Sequence, residues 1–466
     1  MEEIAQWCDG ELYDFTGDCN SAFEYVCTDS READEKTMFV ATRGERVDGH
    51  DYIAKAIEAG CRCVLCEYVP TNVSGKKVAY VVVENSVDAF SDCGRGYRGR
   101  FGGYMPTVAI TGSVGKTTTK ELTAAILNRR FRNYSTKGNF NSVIGMPMSL
   151  MEAGSECESA VFEMGMSGFG EISKMTRAAT PTVAMVTNIG SSHLEYLGTR
   201  ENIARAKLEI GEGVIDGGIL LLNGDEPLLD DHICDRYDTV YVGYDEKCAY
   251  RISNVRVSAE GTLFDMCLPF GARYYDLKLN LVGKHFAYNA AFAIAAAHIL
   301  GVGEQEIREG LSSYVSNGMR MNISQRNGIT VLADCYNAAP ESMRAALETL
   351  KTIAVSGKRI AVLGDMRELG SASDEMHKRV GGFVARNQVD LLFTLGESGA
   401  LIADGAMDMG MNCDRVRSVT DPDGVESLAR MIAEKMEKGD AVLFKASRGM
   451  ALERVMNALF GENTQD

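Results

Sequence analysis

A glycine loop between a strand-like run and a helix-like run constrains this chain more than any other feature. The apolar run 108–110 precedes T-G-S-V-G-K-T-T at residues 111–118, and the helix-forming run 121–127 follows. In this order the loop N–H groups and the positive end of the helix face an anion. Lys116 is placed to reach the β- and γ-phosphates, and the Thr117 hydroxyl to hold Mg²⁺. The sequence therefore predicts a site for ATP or a related nucleotide.

The loop is shorter than the full Walker A pattern. That pattern has a glycine five positions before Gly115, where this chain has Ile110. The G-x-x-G-K-T form is less specific by itself, and a chance Gly-Lys-Thr turn at a helix start is the alternative. The flanking strand-like and helix-like runs favour the phosphate site.

Composition excludes several classes of protein. The formal net charge of −17 argues against general nucleic-acid binding and against docking on an anionic membrane. No run approaches the roughly 20 apolar residues of a membrane span, and the acidic start of the chain lacks a signal-peptide pattern. The 13 cysteines are scattered without a framework, as in a reducing compartment. We expect a cytoplasmic protein with no nucleic-acid partner and no membrane insertion.

Three of the cysteines, Cys61, Cys63 and Cys66, form a C-x-C-x-x-C cluster. Zinc binding is conceivable, but no second ligand pair follows in the sequence. The run 61–67 is better interpreted as a buried strand in which cysteine acts as a small hydrophobic residue.

Alternating strand-like and helix-like runs over 466 residues predict an α/β fold with three domains. Residues 1–84 form a small N-terminal α/β domain. Residues 85–316 form a central, P-loop ATPase-like domain, whose continuous apolar runs suit a parallel sheet buried on both faces. Residues 317–466 form a Rossmann-like domain.

Three finer expectations accompany this division. Residues 92–106 are predicted as a loose, glycine-rich stretch that leads into the strand before the glycine loop, which we call the phosphate cradle. Alternating apolar residues between 251 and 282 predict an antiparallel insert or edge. A helix is predicted from Phe286 to Leu300, ended by Gly301.

Three further polar residues are candidates for the site. Glu163 follows the strand-like run 160–162, and His193 follows another strand-to-loop transition, so both are expected at the same edge of the sheet. A carboxylate there suits Mg²⁺. Lys207 lies 14 residues after His193 in a helix-like run. By residue type alone, His193 is as well explained as a loop residue and Lys207 as a solvated helix lysine.

Four segments of the central domain together resemble the Mur ligase family. Their order and spacing match the family throughout this domain. That family joins an amino acid or a dipeptide to a UDP-linked peptidoglycan precursor. The segments are residues 111–118, 162–165, 188–193 and 206–210.

Segments in all three domains are similar to the branch that adds D-alanyl-D-alanine to UDP-N-acetylmuramoyl-tripeptide. The sister branch, which adds the third residue of the peptide, usually carries D-N-P-R where this chain reads T-L-G-E-S at 394–398. Two residues depart from the pattern: Cys335 replaces a small hydroxyl residue, and Ala339 replaces the Asn before Pro340. These departures concern contacts to the nucleotide or acceptor. The similar segments are residues 28–31, 39–51, 136–147, 334–343, 362–370 and 445–450.

The resemblance implies an ADP-forming ligase that activates a peptide carboxylate as an acyl phosphate. Lys116, Glu163, His193 and Lys207 would be catalytic. Thr117 and Glu163 would hold a first Mg²⁺, and His193 with an N-carbamylated Lys207 a second. Asn289 would contact adenine, Arg320 the phosphates and Asp334 the ribose. The implied nucleotide-binding residues are Gly112, Ser113, Val114, Gly115, Lys116, Thr117, Thr118, Asn289, Arg320 and Asp334.

The resemblance also implies how the domains divide the work. The N-terminal domain would hold the UDP-sugar end, the carboxyl edge of the C-terminal sheet would receive the dipeptide, and domain closure around ATP would assemble the site. A monomer is expected. Alternatives are the sister Mur branch, a folylpolyglutamate synthase relative, and a nucleotide-dependent binding module that has lost catalysis.

Overall fold

The structure, a computed structural model, describes residues 1–15, 22–44, 47–73, 77–100, 105–316 and 318–461. Three parts of the sequence predictions lie outside these ranges. They are residues 45–46 of the similar segment 39–51, residues 101–104 of the predicted loose stretch, and Asn317 at the boundary predicted between the central and C-terminal domains. Three sheets follow one another along the chain. The α/β fold predicted from the sequence is confirmed.

The first sheet has five strands in the order β1-β5-β4-β3-β2, all parallel except β1 against β5. Two buried apolar clusters cover its faces. The elements are α1 (Glu2–Trp7), β1 (Glu11–Asp14), β2 (Tyr25–Cys27), β3 (Thr37–Val40), α2 (Ile53–Glu58), β4 (Cys63–Cys66), β5 (Ala79–Val82) and α3 (Ser86–Gly99).

The second sheet has nine strands in the order β14-β13-β12-β11-β10-β9-β6-β8-β7. Strands β6 to β12 run parallel, and β12–β13–β14 form an antiparallel edge, as the alternation between 251 and 282 predicted. The elements are β6 (Thr107–Thr111), α4 (Lys116–Leu127), β7 (Asn133–Ser135), α5 (Gly145–Glu152), β8 (Ser159–Glu163), α6 (Glu171–Ala179), β9 (Val183–Val186), α7 (Leu194–Leu197), α8 (Arg200–Leu208), β10 (Ile219–Asn223), β11 (Asp238–Gly243), β12 (Tyr250–Ser258), β13 (Gly261–Cys267), β14 (Arg273–Leu279), α9 (Phe286–Ile299) and α10 (Glu304–Ser313).

The third sheet has six strands in the order β15-β16-β20-β17-β18-β19, parallel except for β15. Strand β20 returns between β16 and β17, so the loops after these strands meet at one carboxyl edge. The elements are β15 (Asn322–Arg326), β16 (Ile329–Asp334), α11 (Pro340–Thr352), β17 (Arg359–Gly364), α12 (Ser373–Arg386), β18 (Leu391–Leu395), α13 (Glu397–Asp408), β19 (Val416–Val419), α14 (Val425–Ala433), β20 (Ala441–Lys445) and α15 (Glu453–Phe460).

The predicted loose stretch is wrong for residues 92–99, which continue helix α3. Asn85 caps this helix by accepting hydrogen bonds from the N–H groups of residues 87 and 88. Its glycines serve close packing: a Cβ on Gly94 would lie 3.1 Å from Pro147 Cα, and one on Gly96 would lie 2.2 Å from the Trp7 ring. Helix α3 therefore packs on both the N-terminal domain and α5 of the central domain.

The cysteine cluster forms strand β4 and its approach, as predicted. Cys61, Cys63 and Cys66 are all buried, and burial raises the pKa of Cys66 to about 12, which disfavours the thiolate that zinc requires. Across the described residues, no group of three or more His, Cys, Asp or Glu is arranged to hold a metal ion. None of the helices in the residues that the structure describes is long and apolar enough to cross a membrane.

Candidate active site

A cleft of about 790 Å³ lies between the central and C-terminal domains, at the carboxyl edge of both sheets. Most residues predicted for the site line it, although they come from distant parts of the sequence. Gly112 and Lys207 lie outside the lining. The predicted residues that line the cleft are Ser113, Val114, Gly115, Lys116, Thr117, Thr118, Glu163, His193, Asn289, Arg320 and Asp334.

The cradle loop connects β6 to α4 through two glycines in conformations that other residues rarely adopt. Gly112 has φ 153° and Gly115 has φ 82° at the start of α4. A Cβ on Gly112 would lie 2.0 Å from Thr187 Oγ1, and one on Gly115 would lie 2.3 Å from Asn289 Nδ2. The glycines thus serve both the turn and the close packing of the loop on its neighbours.

Asn188, which sequence reasoning gave no role, holds the cradle in shape. Its side-chain Oδ1 accepts from Val114 N at 2.9 Å, and its Nδ2 donates to Val114 O at 2.9 Å. Its backbone O accepts from Ser113 N, and Thr187 Oγ1 donates to Val114 O. One indication of this role was present in the sequence, which is the position of Thr187 and Asn188. Both directly follow β9, at the edge of the sheet where the loop also lies.

Lys116 and Glu163 face the cleft from the loop and from the end of β8. Lys116 Nζ donates to Gly112 O at 2.7 Å. Burial lowers the pKa of Lys116 below its ordinary value, and the nearby Glu163 carboxylate offsets only part of this effect. Glu163 is buried and accepts from Asn141 Nδ2 at 2.8 Å, so its carboxylate is oriented by a neighbouring loop. Asn141 is a second residue that sequence reasoning left without a role.

His193 meets a carboxylate from the C-terminal domain. Its Nδ1 lies 2.7 Å from Glu368 Oε2, a distance at which the ring nitrogen and the carboxylate interact directly. The proximity of His193, and then of Lys116, lowers the pKa of Glu368. The loop after β17 therefore reaches the central-domain side of the site.

Lys207 lies on α8 behind the cleft, with 1 % of its surface exposed. Burial, and then the nearby Lys116 charge, lowers its pKa well below the ordinary value for lysine. Within the described residues no carboxylate or carbonyl pairs with its ammonium nitrogen. The alternative of a solvated helix lysine is therefore wrong.

Asn289 of α9 is 7 % exposed, and its amide is engaged with the cradle. Its Nδ2 donates to Gly115 O at 3.1 Å and to Thr119 Oγ1 at 2.9 Å. This packing places Asn289 at the rear of the loop, at the helix start. Its predicted contact with adenine remains a prediction.

The C-terminal domain contributes a charged cluster to the opposite wall. The Arg320 guanidinium stacks 3.7 Å above the Tyr336 ring. Asp334 Oδ2 pairs with Lys445 Nζ at 2.6 Å, and this lysine is 2 % exposed and also donates to Asn337 O. Lys445 was quoted from the sequence only as part of a motif, although its burial requires the partner that Asp334 supplies.

Comparison with known proteins gives the family. The chain matches the Mur ligase middle domain over residues 110–297, the Mur ligase glutamate ligase domain over 319–448 and the Mur ligase family catalytic domain over 23–94. A Bacillus subtilis UDP-N-acetylmuramoyl-tripeptide–D-alanyl-D-alanine ligase is 38% identical over 435 residues, which cover 93% of this chain and 92% of that protein. This chain belongs to the Mur ligase family.

Solved structures extend the comparison to the whole Mur ligase fold. MurF from Acinetobacter baumannii has a TM-score of 0.88 at 28% identity, covering 99% of this chain and 98% of that one. MurF from Thermotoga maritima, solved in complex with ADP, has a TM-score of 0.81 at 30% identity, covering 94% and 97%. The three-domain architecture and the family predicted from the sequence are confirmed, and this Mur ligase is an ATP-dependent, ADP-forming enzyme.

Proposed function

We propose that this Mur ligase joins D-alanyl-D-alanine to UDP-N-acetylmuramoyl-tripeptide, with ATP converted to ADP and phosphate. The full-length similarity to ligases of that name carries the proposal. The cleft supports it, because a phosphate cradle, a buried carboxylate, a histidine and a basic cluster face one space. This activity would supply a cytoplasmic step in peptidoglycan precursor synthesis.

The reaction requires an activated carboxylate, because an amine cannot displace oxide from a carboxylate. The terminal carboxylate oxygen of the tripeptide attacks the γ-phosphorus of ATP, ADP leaves, and an acyl phosphate forms. The dipeptide ammonium first loses a proton, and the free amine attacks the acyl carbon. The new C–N bond is completed when the nitrogen loses a second proton and inorganic phosphate leaves with the electron pair of the broken C–O bond. Lys116 and the loop N–H groups would neutralise charge on the transferring phosphoryl group.

The residues present fit Mg²⁺. The Thr117 hydroxyl and the Glu163 carboxylate are oxygen donors of the kind Mg²⁺ prefers, and both line the cleft. Asn141 holds the Glu163 carboxylate in place. Bound Mg²⁺ would supply positive charge beside the phosphoryl group that is transferred.

Lys207 fits an N-carbamate. A carbamate forms when a neutral amine attacks the carbon of carbon dioxide and the nitrogen releases a proton. The buried, unpaired Lys207 is held toward its neutral form, which this step requires. Carbamylation replaces a cation, which would repel a metal, by an oxygen-bearing anion. With His193, this group would serve a second Mg²⁺.

A coupled phosphate-release assay tests the reaction. We expect phosphate release only when ATP, UDP-N-acetylmuramoyl-tripeptide and D-alanyl-D-alanine are all present, and a product mass equal to the joined substrates less water. ATP binding without turnover would favour the binding module. A panel with lysine or meso-diaminopimelate as third residue, and with D-alanyl-D-lactate, would define specificity.

Replacing Lys207 tests the carbamate. We expect Lys207→Ala and Lys207→Arg to lose activity, and added bicarbonate to restore neither variant. Arg205 is the matched control, because it lies on the same helix but is exposed, so Arg205→Ala should retain activity. A fully active Lys207→Ala enzyme would remove this assignment.

We also propose the domain boundaries 1–84, 85–316 and 317–466, with the UDP-sugar end on the N-terminal domain and the dipeptide at the carboxyl edge of the third sheet. A monomer is proposed. Light scattering coupled to size exclusion tests the oligomeric state, and a mass near 51 kDa is expected from the 50.7 kDa chain.

A further inference from the structure

Two residues with left-handed backbone conformations meet across the boundary between the central and C-terminal domains. His193 has φ 67° and Glu368 has φ 64°, and neither is a glycine. Residues other than glycine adopt this conformation at an energetic cost, so the surrounding structure must hold them there. Here the two side chains point at one another, with His193 Nδ1 2.7 Å from Glu368 Oε2.

The backbone around this pair also joins the two domains. Glu195 N donates to Glu368 O at 3.2 Å. Gly370, two residues further on, approaches α7 so closely that a Cβ would lie 3.0 Å from Glu195 Cα. The loop after β17 is therefore fitted to the segment 193–195, and Glu368 reaches His193 only when the domains are docked.

The carboxylate has a definite effect on the imidazole. A neutral histidine carries its proton on one ring nitrogen, and a carboxylate beside Nδ1 favours the tautomer protonated there. Nε2 then keeps its lone pair and is free to accept from a ligand or to bind a metal ion. Histidines that bind metals are commonly oriented in this manner by a carboxylate.

We propose that Glu368 is a positioning residue, delivered by the C-terminal domain on closure, that holds His193 with Nε2 available to the reacting groups. This inference rests on the proposed function of the cleft. It gives the C-terminal domain a part in organising the phosphoryl-transfer side of the site, beyond receiving the dipeptide.

The tautomer can be measured directly because the chain has six histidines. Selective ¹⁵N-histidine labelling of the full-length protein, with His193 assigned from a His193→Gln sample, reports which ring nitrogen is protonated. We expect wild-type His193 to carry its proton on Nδ1, and Glu368→Gln to shift the population toward Nε2–H. An unchanged His193 spectrum in Glu368→Gln would overturn the proposal.

Kinetics supply the second measurement. We expect Glu368→Gln to lower kcat at least tenfold while the KM for ATP changes less than threefold, and Glu368→Asp, which keeps the charge, to recover part of the loss. Glu375→Gln is the matched control, because Glu375 is an exposed carboxylate of the same domain. Equal kcat in Glu368→Gln and wild type would also overturn the proposal.

The two measurements separate this inference from the proposed function. If wild-type protein forms no joined product, the proposed function fails, whereas the tautomer experiment still reports whether Glu368 controls His193. If the product forms and the tautomer is insensitive to Glu368, only the positioning role fails.

Discussion

The side chain of Asn188 meets both polar groups of the Val114 peptide, which rigidifies the centre of the phosphate loop. A loop that already has its bound shape loses less conformational entropy when a nucleotide arrives. Gly190 N donates to Ser113 Oγ at 2.8 Å and adds a further tie to the same loop. The affinity of this cradle therefore depends on residues that need not touch the nucleotide.

Replacing Asn188 by Ala should loosen the cradle. The Val114 N–H would lose its side-chain partner and the Val114 C=O would keep only Thr187 Oγ1, at a cost of about 1–3 kcal/mol in the free energy of unfolding. We expect ADP affinity to fall as well, measured by titration calorimetry. Asn128→Ala is the control, because Asn128 is exposed at the end of α4; equal ADP affinity in both variants would contradict this role for Asn188.

Burial of Lys207 predicts a pH dependence of stability. In the folded state its pKa lies well below the ordinary lysine value of 10.5. At a pH between the folded-state pKa and 10.5, the unfolded chain therefore binds a proton that the folded chain lacks. The free energy of unfolding should therefore fall as pH is lowered from about 10, and less so in Lys207→Met. Urea unfolding at several pH values in buffer free of carbon dioxide measures this.

The decisive result is the sign of the difference in the free energy of unfolding between Lys207→Met and wild type. Lys207→Met should be more stable than wild type near pH 7, and the difference should shrink toward pH 10. Bicarbonate should stabilise wild type selectively, because the variant has no amine at this position. A variant less stable than wild type at every pH would show that Lys207 is not destabilised by its surroundings.

At the scale of elements, helix α4 begins where the loop ends, and Gly115 sets that junction. Its φ of 82° is unfavourable for alanine by about 1–2 kcal/mol, and an added Cβ would displace Asn289 from its contacts. We expect Gly115→Ala to lower both the thermal midpoint and ADP affinity, measured by scanning fluorimetry with and without ADP.

A helical glycine elsewhere serves as the matched control. Gly99 ends α3 with ordinary backbone angles, and nothing lies within 4 Å of an added Cβ. Gly99→Ala should raise stability slightly, by about 0.5–1 kcal/mol. Similar losses in both variants would mean that the effect at Gly115 is not specific to the cradle.

The elements differ in how far the sequence predicted them. Strands β6, β8 and β9 are continuous apolar runs, and helix α9 has a clear ending glycine, so local pattern was sufficient. Helix α3 was partly missed because its glycines are typical of loops. Those glycines are explained by neighbours distant in sequence, Trp7 and α5, which no local pattern includes.

At the scale of the whole molecule, the catalytic cleft exists only while the C-terminal domain is docked on the central one. Besides the Glu368 contacts, Ser191 Oγ donates to Glu341 Oε1 at 2.8 Å across this boundary. Gly370 has φ 55°, and an added Cβ would lie 3.0 Å from Glu195 Cα on α7, which leaves little room for a side chain. Docking therefore depends on a few close backbone approaches as well as on side-chain contacts.

Gly370→Ala should weaken closure. The added methyl group would meet Glu195 Cα at 3.0 Å, so the domains would have to separate slightly. We expect a more open average shape by small-angle X-ray scattering with ADP and Mg²⁺ present, and a lower kcat. A scattering profile and kcat equal to those of Gly382→Ala, a C-terminal-domain glycine whose added Cβ approaches only the Met409 side chain, would contradict this expectation.

The sequence by itself determined the α/β class, the order of the domains, the phosphate loop and the family, because these depend on local periodicity and on motifs that are contiguous in the chain. Tertiary structure decided how the site is held together. Asn188, Lys445 and Glu368 acquire their roles from partners 74, 111 and 175 positions away. Hydrogen bonds and charge pairs act over a few ångströms in space, so separation along the chain does not reveal them.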